Sequence, residues 1–218
     1  PAPSRGPVTP FPPLSKRARS TCPPNPGASL TSFTALLVAA LLSGSAPLAG
    51  PWRAALDLAG GPLRFTIEVD SGSAPLTARL CNGGSCQPFS GVRTAGDTVV
   101  FELGDFAATI RAVRVGDSLV GAYSNVGNRG PRTIPFRASP GRWPATPGND
   151  ALLGEWNAWF GAEGRRSPRI LEFRNSAEGL MGTVLSNSGD YGAFWGEASG
   201  ERFSLGHFDG SFVYLITG

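Results

Sequence analysis

Three cysteines, one histidine and sixteen acids are the side chains of this sequence most suited to chemistry. Cys81 and Cys86 flank Asn82-Gly83-Gly84-Ser85, a turn-prone tip. In an oxidising compartment they would close a small disulfide loop. Two free thiols beside a hairpin, or a redox couple, are the alternatives. The C-x4-C spacing differs from the C-x-x-C that activates a thiolate at a helix start. Zinc finds no second ligand pair in the chain. His207 sits in Gly206-His207-Phe208-Asp209-Gly210, beside an expected turn. Hydrolysis there needs a nucleophile and an orienting acid, and no Ser/His/Asp arrangement is legible. Asp209-Gly210 reads as a hairpin turn. Asp70, Asp97, Asp117, Asp150 and Asp190 lie near Gly or Ser in turns, without a calcium loop or paired carboxylates. No P-loop and no dinucleotide fingerprint occurs. The expectation is a chain with no catalytic residue, no metal and no cofactor.

The elements that carry these residues read as strands. Leu63-Arg64-Phe65-Thr66-Ile67-Glu68-Val69-Asp70 alternates apolar and polar, the period of a sheet with one wet face. Val99/Phe101/Leu103, Ala108/Ile110/Ala112, Ile134/Phe136/Ala138, Leu171/Phe173 and Phe212/Tyr214/Ile216 repeat it. Turn signals separate the runs, among them Ala95-Gly96-Asp97, Gly116-Asp117-Ser118 and Ser199-Gly200-Glu201. Many short strands with regular turns predict an all-β fold, an antiparallel sandwich or up-and-down barrel. No helical period appears after residue 49.

Two halves of the chain match. Gly50-Pro51-Trp52 pairs with Gly154-Glu155-Trp156, and Leu63-Arg64-Phe65 with Leu171-Glu172-Phe173. Leu80-Cys81-Asn82 pairs with Leu185-Ser186-Asn187, and Phe101-Glu102-Leu103 with Phe203-Ser204-Leu205. The expected organisation is a leader at 1–49, a β module at 50–140, a Pro/Gly linker at 141–150 and a second β module at 151–218. The second module lacks counterparts of the last two strands of the first. That makes it an incomplete module, and the chain is expected to be a piece of a longer protein.

The leader holds Arg5, Lys16, Arg17 and Arg19, no acid, and nine prolines within residues 1–29. An apolar run at Phe33–Leu42 is followed by the small residues Ser43-Gly44-Ser45-Ala46. That order matches a secretory signal peptide, and the run is too short to span a bilayer. The expectation is an exported protein of the periplasm or cell envelope, with no membrane span in the mature form. The whole chain has a net charge of +3, but residues 50–218 hold 15 Arg against 16 acids. The basic character belongs to the leader, so nucleic acid is not an expected partner.

Gly50-x-Trp52 and Gly154-x-Trp156 resemble the Gly-x-Trp start of lipocalin-type modules. The run Leu185–Tyr191 with Phe203–Ser211 resembles the N-terminal β region of exported TlpA-like thiol-disulfide reductases. This second resemblance implies a non-catalytic β module serving a thioredoxin-like domain of the same parent chain, or binding a client protein. The W-C-x-x-C motif of that family has no counterpart here, so the chain as given is not expected to be an enzyme. The first resemblance implies a binding module for a small apolar ligand. The aromatic excess of Trp143, Trp159 and Trp195 with Phe160, Tyr191 and Phe194 serves either core and barrel-end packing or an apolar or carbohydrate-binding face.

Overall fold

A computed structural model describes residues 47–72, 74–127, 130–161 and 163–218. The expected signal peptide lies outside the described residues. Those residues form two antiparallel sheets, as the alternating runs predict.

The first sheet holds nine strands in chain order. These are β1 (Gly50–Leu58), β2 (Gly61–Val69), β3 (Ala78–Asn82), β4 (Ser85–Pro88), β5 (Gly91–Ala95), β6 (Thr98–Leu103), β7 (Ala108–Val115), β8 (Ser118–Gly127) and β9 (Gly130–Pro140). Their spatial order is β4-β3-β2-β1-β9-β8-β7-β6-β5. The first strand therefore pairs with the last, Trp52 opposite Pro140 and Leu56 opposite Phe136. The ends of the sheet are joined by Phe89 and Ser90. The Phe89 amide donates to the Ala78 carbonyl and the Ser90 amide to the Glu102 carbonyl, at 2.9 and 2.8 Å. The sheet curls around Phe65, Ile67, Leu80, Phe101, Ile110 and Tyr123, each with no measurable exposure. Filling an interior with large side chains is what a small barrel does when it holds no cavity.

The second sheet holds β10 (Gly154–Phe160), β11 (Ser167–Ser176), β12 (Gly179–Ser186), β13 (Gly189–Asp190), β14 (Phe194–Ser199), β15 (Arg202–Phe208) and β16 (Val213–Thr217). Its order is β10-β11-β12-β14-β15-β16, with the short β13 beside β12. Its core is smaller, built on Leu171, Phe173, Leu180, Val184, Phe194 and Leu205.

Strand register corrects the alignment of the halves. Trp52 faces Ile67, which faces Leu80. Trp156 faces Leu171, which faces Val184. These two cross-strand rows are equivalent. Leu80 therefore corresponds to Val184 rather than Leu185, and Ile67 rather than Leu63 corresponds to Leu171. Sequence matching slid by four residues on β2, where a period-two run looks alike at every second register, and by one residue on β3. The hairpin tips then coincide: Cys81 pairs with Cys86 where Leu185 pairs with Asp190.

The two sheets interlock. Phe208, at the end of β15, is fully buried in the core of the first sheet. Its ring meets Phe65 at 4.9 Å and Tyr123 at 5.0 Å, both edge-on. The Asn82 side chain donates to the Phe208 carbonyl at 2.8 Å and accepts from its amide at 3.1 Å. One amide side chain thus imitates a strand neighbour. The Tyr123 hydroxyl donates to the Gly210 carbonyl at 2.8 Å, and Arg132 donates to the Ser211 carbonyl at 3.0 Å. In the reverse direction, the β3–β4 tip presses on the second sheet. A Cβ at Gly83 would lie 2.7 Å from Trp195, and φ there is +57°. Glycine is needed twice over at that tip, for the turn and for the close approach.

The Pro/Gly stretch at 141–150 is fastened to both sheets. Trp143 donates to the Phe65 carbonyl at 2.9 Å, with Arg64 stacked 4.5 Å from its ring centre. Asn175 exchanges two hydrogen bonds with the Gly148 backbone.

Candidate functional site

The functional side chains gather where β12, β13, β15 and β16 meet. The short β13 brings up Asp190, and Tyr191 follows it. The end of β15 brings His207 and Asp209, and β16 brings Tyr214. Together with Phe212 they line an open cleft of about 440 Å³.

His207 is packed rather than solvent-facing, its side chain 12% exposed. Its ring lies 5.4 Å from Phe194 and stacks 6.4 Å from Tyr214. Nδ1 lies 2.8 Å from the Ala193 carbonyl, and Nε2 lies 3.7 Å from Asp209 Oδ2. Gly192 permits this placement, because a Cβ there would come within 2.7 Å of the imidazole. Burial lowers the histidine's proton affinity, but the Asp209 carboxylate, the Ala193 carbonyl and Asp190 outweigh it. The net pKa stands above the usual 6.5. For Asp209 burial pushes upward, and the His207 contact with the Phe212 and Ser211 amides reverses it, so the pKa falls below 3.8. Both shifts run in the direction that favours the charged forms, imidazolium for His207 and carboxylate for Asp209.

The carboxylates are held from the backbone. Asp209 Oδ1 accepts from the Ser211 and Phe212 amides at 2.8 and 2.7 Å. Asp190 Oδ1 accepts from the Gly192 amide at 2.8 Å and from the Thr183 hydroxyl. Both ring nitrogens of His207 face acceptors. This geometry fixes the imidazole as one wall of the cleft. The wall itself is aromatic. Tyr191 meets Tyr214 edge-on at 5.5 Å, and Phe212 stacks on Tyr214 at 5.5 Å and 10°. Phe212 is 52% exposed. Arg169 lies over the outer face of Tyr191, 5.8 Å from the ring centre. Burial, with Tyr191 and Asp209 adding to it, raises the Tyr214 pKa above 10.0.

Cys81 and Cys86 lie elsewhere, directly opposite across the β3–β4 hairpin and joined as a disulfide. Cys81 is buried and Cys86 exposed. The Glu68 carboxylate lies within 4.8 Å of both sulfurs. This trio does not suit a metal, since the sulfurs are bonded to each other and Glu68 already answers Arg79 and Arg142.

Sequence reasoning found His207 and Asp209 as neighbours in the chain but not as a pair. It missed the convergence with Asp190, Tyr191 and Tyr214. The available signal was their closeness in the chain, His207 near the end of β15 and Asp209 in the bend that follows it. Comparison with known protein families, curated proteins and solved structures gives no match to this chain.

Proposed function

We propose that this chain is a non-catalytic, exported β module that binds a polypeptide partner, with the second sheet as its recognition surface. The partner is a client protein or a thioredoxin-like domain, as the likeness to TlpA-like reductases implies. The observation that carries this reading is the contrast between the two sheets. The first is filled with fully buried aromatic side chains. The second keeps Trp156, Trp159 and Phe212 between 45% and 64% exposed, and Phe212 lines the aromatic cleft. Exposed aromatic side chains are the usual energetic anchors of a protein contact.

The test is a fluorescence anisotropy titration with a labelled, reduced and carboxymethylated unfolded polypeptide. Saturable binding, weakened at least tenfold by Phe212→Ala, is the expected result. A flat titration ends the reading. The cleft also supports a second reading, a lipocalin-like site for a small apolar ligand, because its size suits one. Tryptophan fluorescence that saturates with a small aromatic ligand, and no polypeptide binding, selects that alternative.

A further inference from the structure

The β3–β4 hairpin grips the second sheet through residues that flank its disulfide. Asn82, next to Cys81, exchanges two hydrogen bonds with the Phe208 backbone, at 2.8 and 3.1 Å. Gln87, next to Cys86, donates to the Asp209 carbonyl at 2.5 Å. Gly83, at the turn, lies against Trp195 and Met181. The two bonded pairs stand 126 and 122 residues apart in the chain. The disulfide itself encloses only Asn82-Gly83-Gly84-Ser85. Closing so short a loop takes little entropy from the unfolded chain. Its effect falls instead on the hairpin that makes the long-range contacts.

Strand β4 is the part that the bond holds. It has four residues, three of them exposed, and Pro88 at its end has no amide for a ladder. It lies at one end of the sheet and pairs with β3 alone among the described residues. The two sulfurs stand in different surroundings. Cys81 is 1% exposed, whereas Cys86 is exposed. A nucleophile arriving from solvent meets Cys86, which makes Cys81 the leaving sulfur. The Glu68 carboxylate, within 4.8 Å of both sulfurs, opposes a thiolate there. Arg79 and Arg142 both pair with Glu68 and offset its charge.

We propose that the Cys81–Cys86 disulfide is a reversible thiol-exchange site, opened at Cys86 by an external dithiol, and that it latches the first sheet to the second. This goes beyond the reading of the chain as a binding module and needs no recognition surface on the second sheet. A thiolate of the dithiol bonds to Cys86 Sγ. The Cys81–Cys86 bond breaks, and its electron pair leaves on Cys81 Sγ, which takes a proton from water. The second thiol of the dithiol loses its proton and attacks the partner sulfur of the mixed disulfide. That closes the dithiol's own disulfide and releases Cys86 as a thiolate, which is protonated in turn. The chain gains two electrons and two protons, and the dithiol loses the same. With the bond open, β4 is free to leave β3, and the Asn82 and Gln87 contacts with Phe208 and Asp209 loosen.

The test treats the whole folded chain with dithiothreitol, alkylates the free thiols and maps them by mass spectrometry. Cys81 and Cys86 are expected to be reduced without denaturant, at a rate that sub-denaturing urea changes less than twofold. A bond that opens only as the chain unfolds, its rate climbing steeply with urea, overturns the proposal and makes the disulfide a structural staple. In the reduced chain, hydrogen exchange at the Phe208 amide is expected to be at least tenfold faster, with β8 and β9 unchanged. Unchanged exchange at Phe208 overturns the latch, and an equal rise on β8 and β9 overturns it in favour of general loosening. With limiting iodoacetamide, Cys86 of the reduced chain is expected to be alkylated at least tenfold faster than Cys81. The reverse order overturns the assignment of the attacked sulfur. None of these outcomes depends on polypeptide binding, so the wider reading stands or falls separately.

Discussion

The two tryptophans that open the sheets are a matched pair. Trp52 Nε1 donates to the Leu48 carbonyl at 2.7 Å, and Trp156 Nε1 to the Leu152 carbonyl at 2.8 Å. Both bonds reach back four residues, so the local motif folds identically. Yet Trp52 is buried and Trp156 is nearly half exposed. Local sequence sets the rotamer and the hydrogen bond; the next strand sets the burial. The same residue type is a core brick in one sheet and a half-exposed side chain in the other.

The comparison can be broken or sharpened by four measurements. The largest effect is expected from Phe208→Ala. Phe208 belongs by sequence to the second sheet but packs in the first core, so its removal should cost about 3–5 kcal/mol. Denaturant unfolding should then show both sheets losing stability in one transition. A transition confined to the second sheet would mean that the cores are independent.

Trp52→Ala and Trp156→Ala come next, and the pair matters more than either alone. The first should cost about 3–5 kcal/mol and the second about 1 kcal/mol. Equal losses by chemical denaturation would contradict the contrast in burial. Asn82→Ala follows. It strands the buried amide and carbonyl of Phe208, at about 1–3 kcal/mol for each group left unpaired. A loss below 0.5 kcal/mol, on the scale of an ordinary surface change, would mean that the Asn82 bridge does not hold the sheets together.

The smallest effect is a pH dependence. His207 has a raised pKa, so its stabilisation is complete below 6.5 and disappears as pH climbs through its folded value. Asp209 has a lowered pKa, so its share is present above 3.8 and disappears as pH falls through its folded value. The pair therefore contributes most between those limits. An NMR titration of the single histidine should give a midpoint above 6.5. His207→Gln should flatten the alkaline slope of stability while leaving the first core intact.

Much of the strand pattern is readable from residues. Leu63, Phe65, Ile67 and Val69 alternate in the chain and all are buried on β2. The Gly-x-Trp openings and the Cys81/Cys86 turn also stand out, because each is local chemistry. What alternation cannot specify is the neighbour. Nothing in Trp52 or Phe136 announces that β1 lies beside β9. The site suffered the same loss. His207 was visible as a lone histidine, but its environment comes from Asp190 on β13, Ala193 in the connection to β14 and Tyr214 on β16. The insertion of Phe208 left no trace, since an aromatic residue at a strand end suits either core equally.

That insertion governs time as well as stability. The Asn82–Phe208 bridge spans 126 residues of chain. Contacts of such separation close late, because the loop entropy is lost before the contact repays it. The first core therefore stays unsealed until the end of the second sheet has been synthesised and threaded home. Until then Phe65 and Tyr123 face an empty place, and the nascent chain offers that place to whatever handles it.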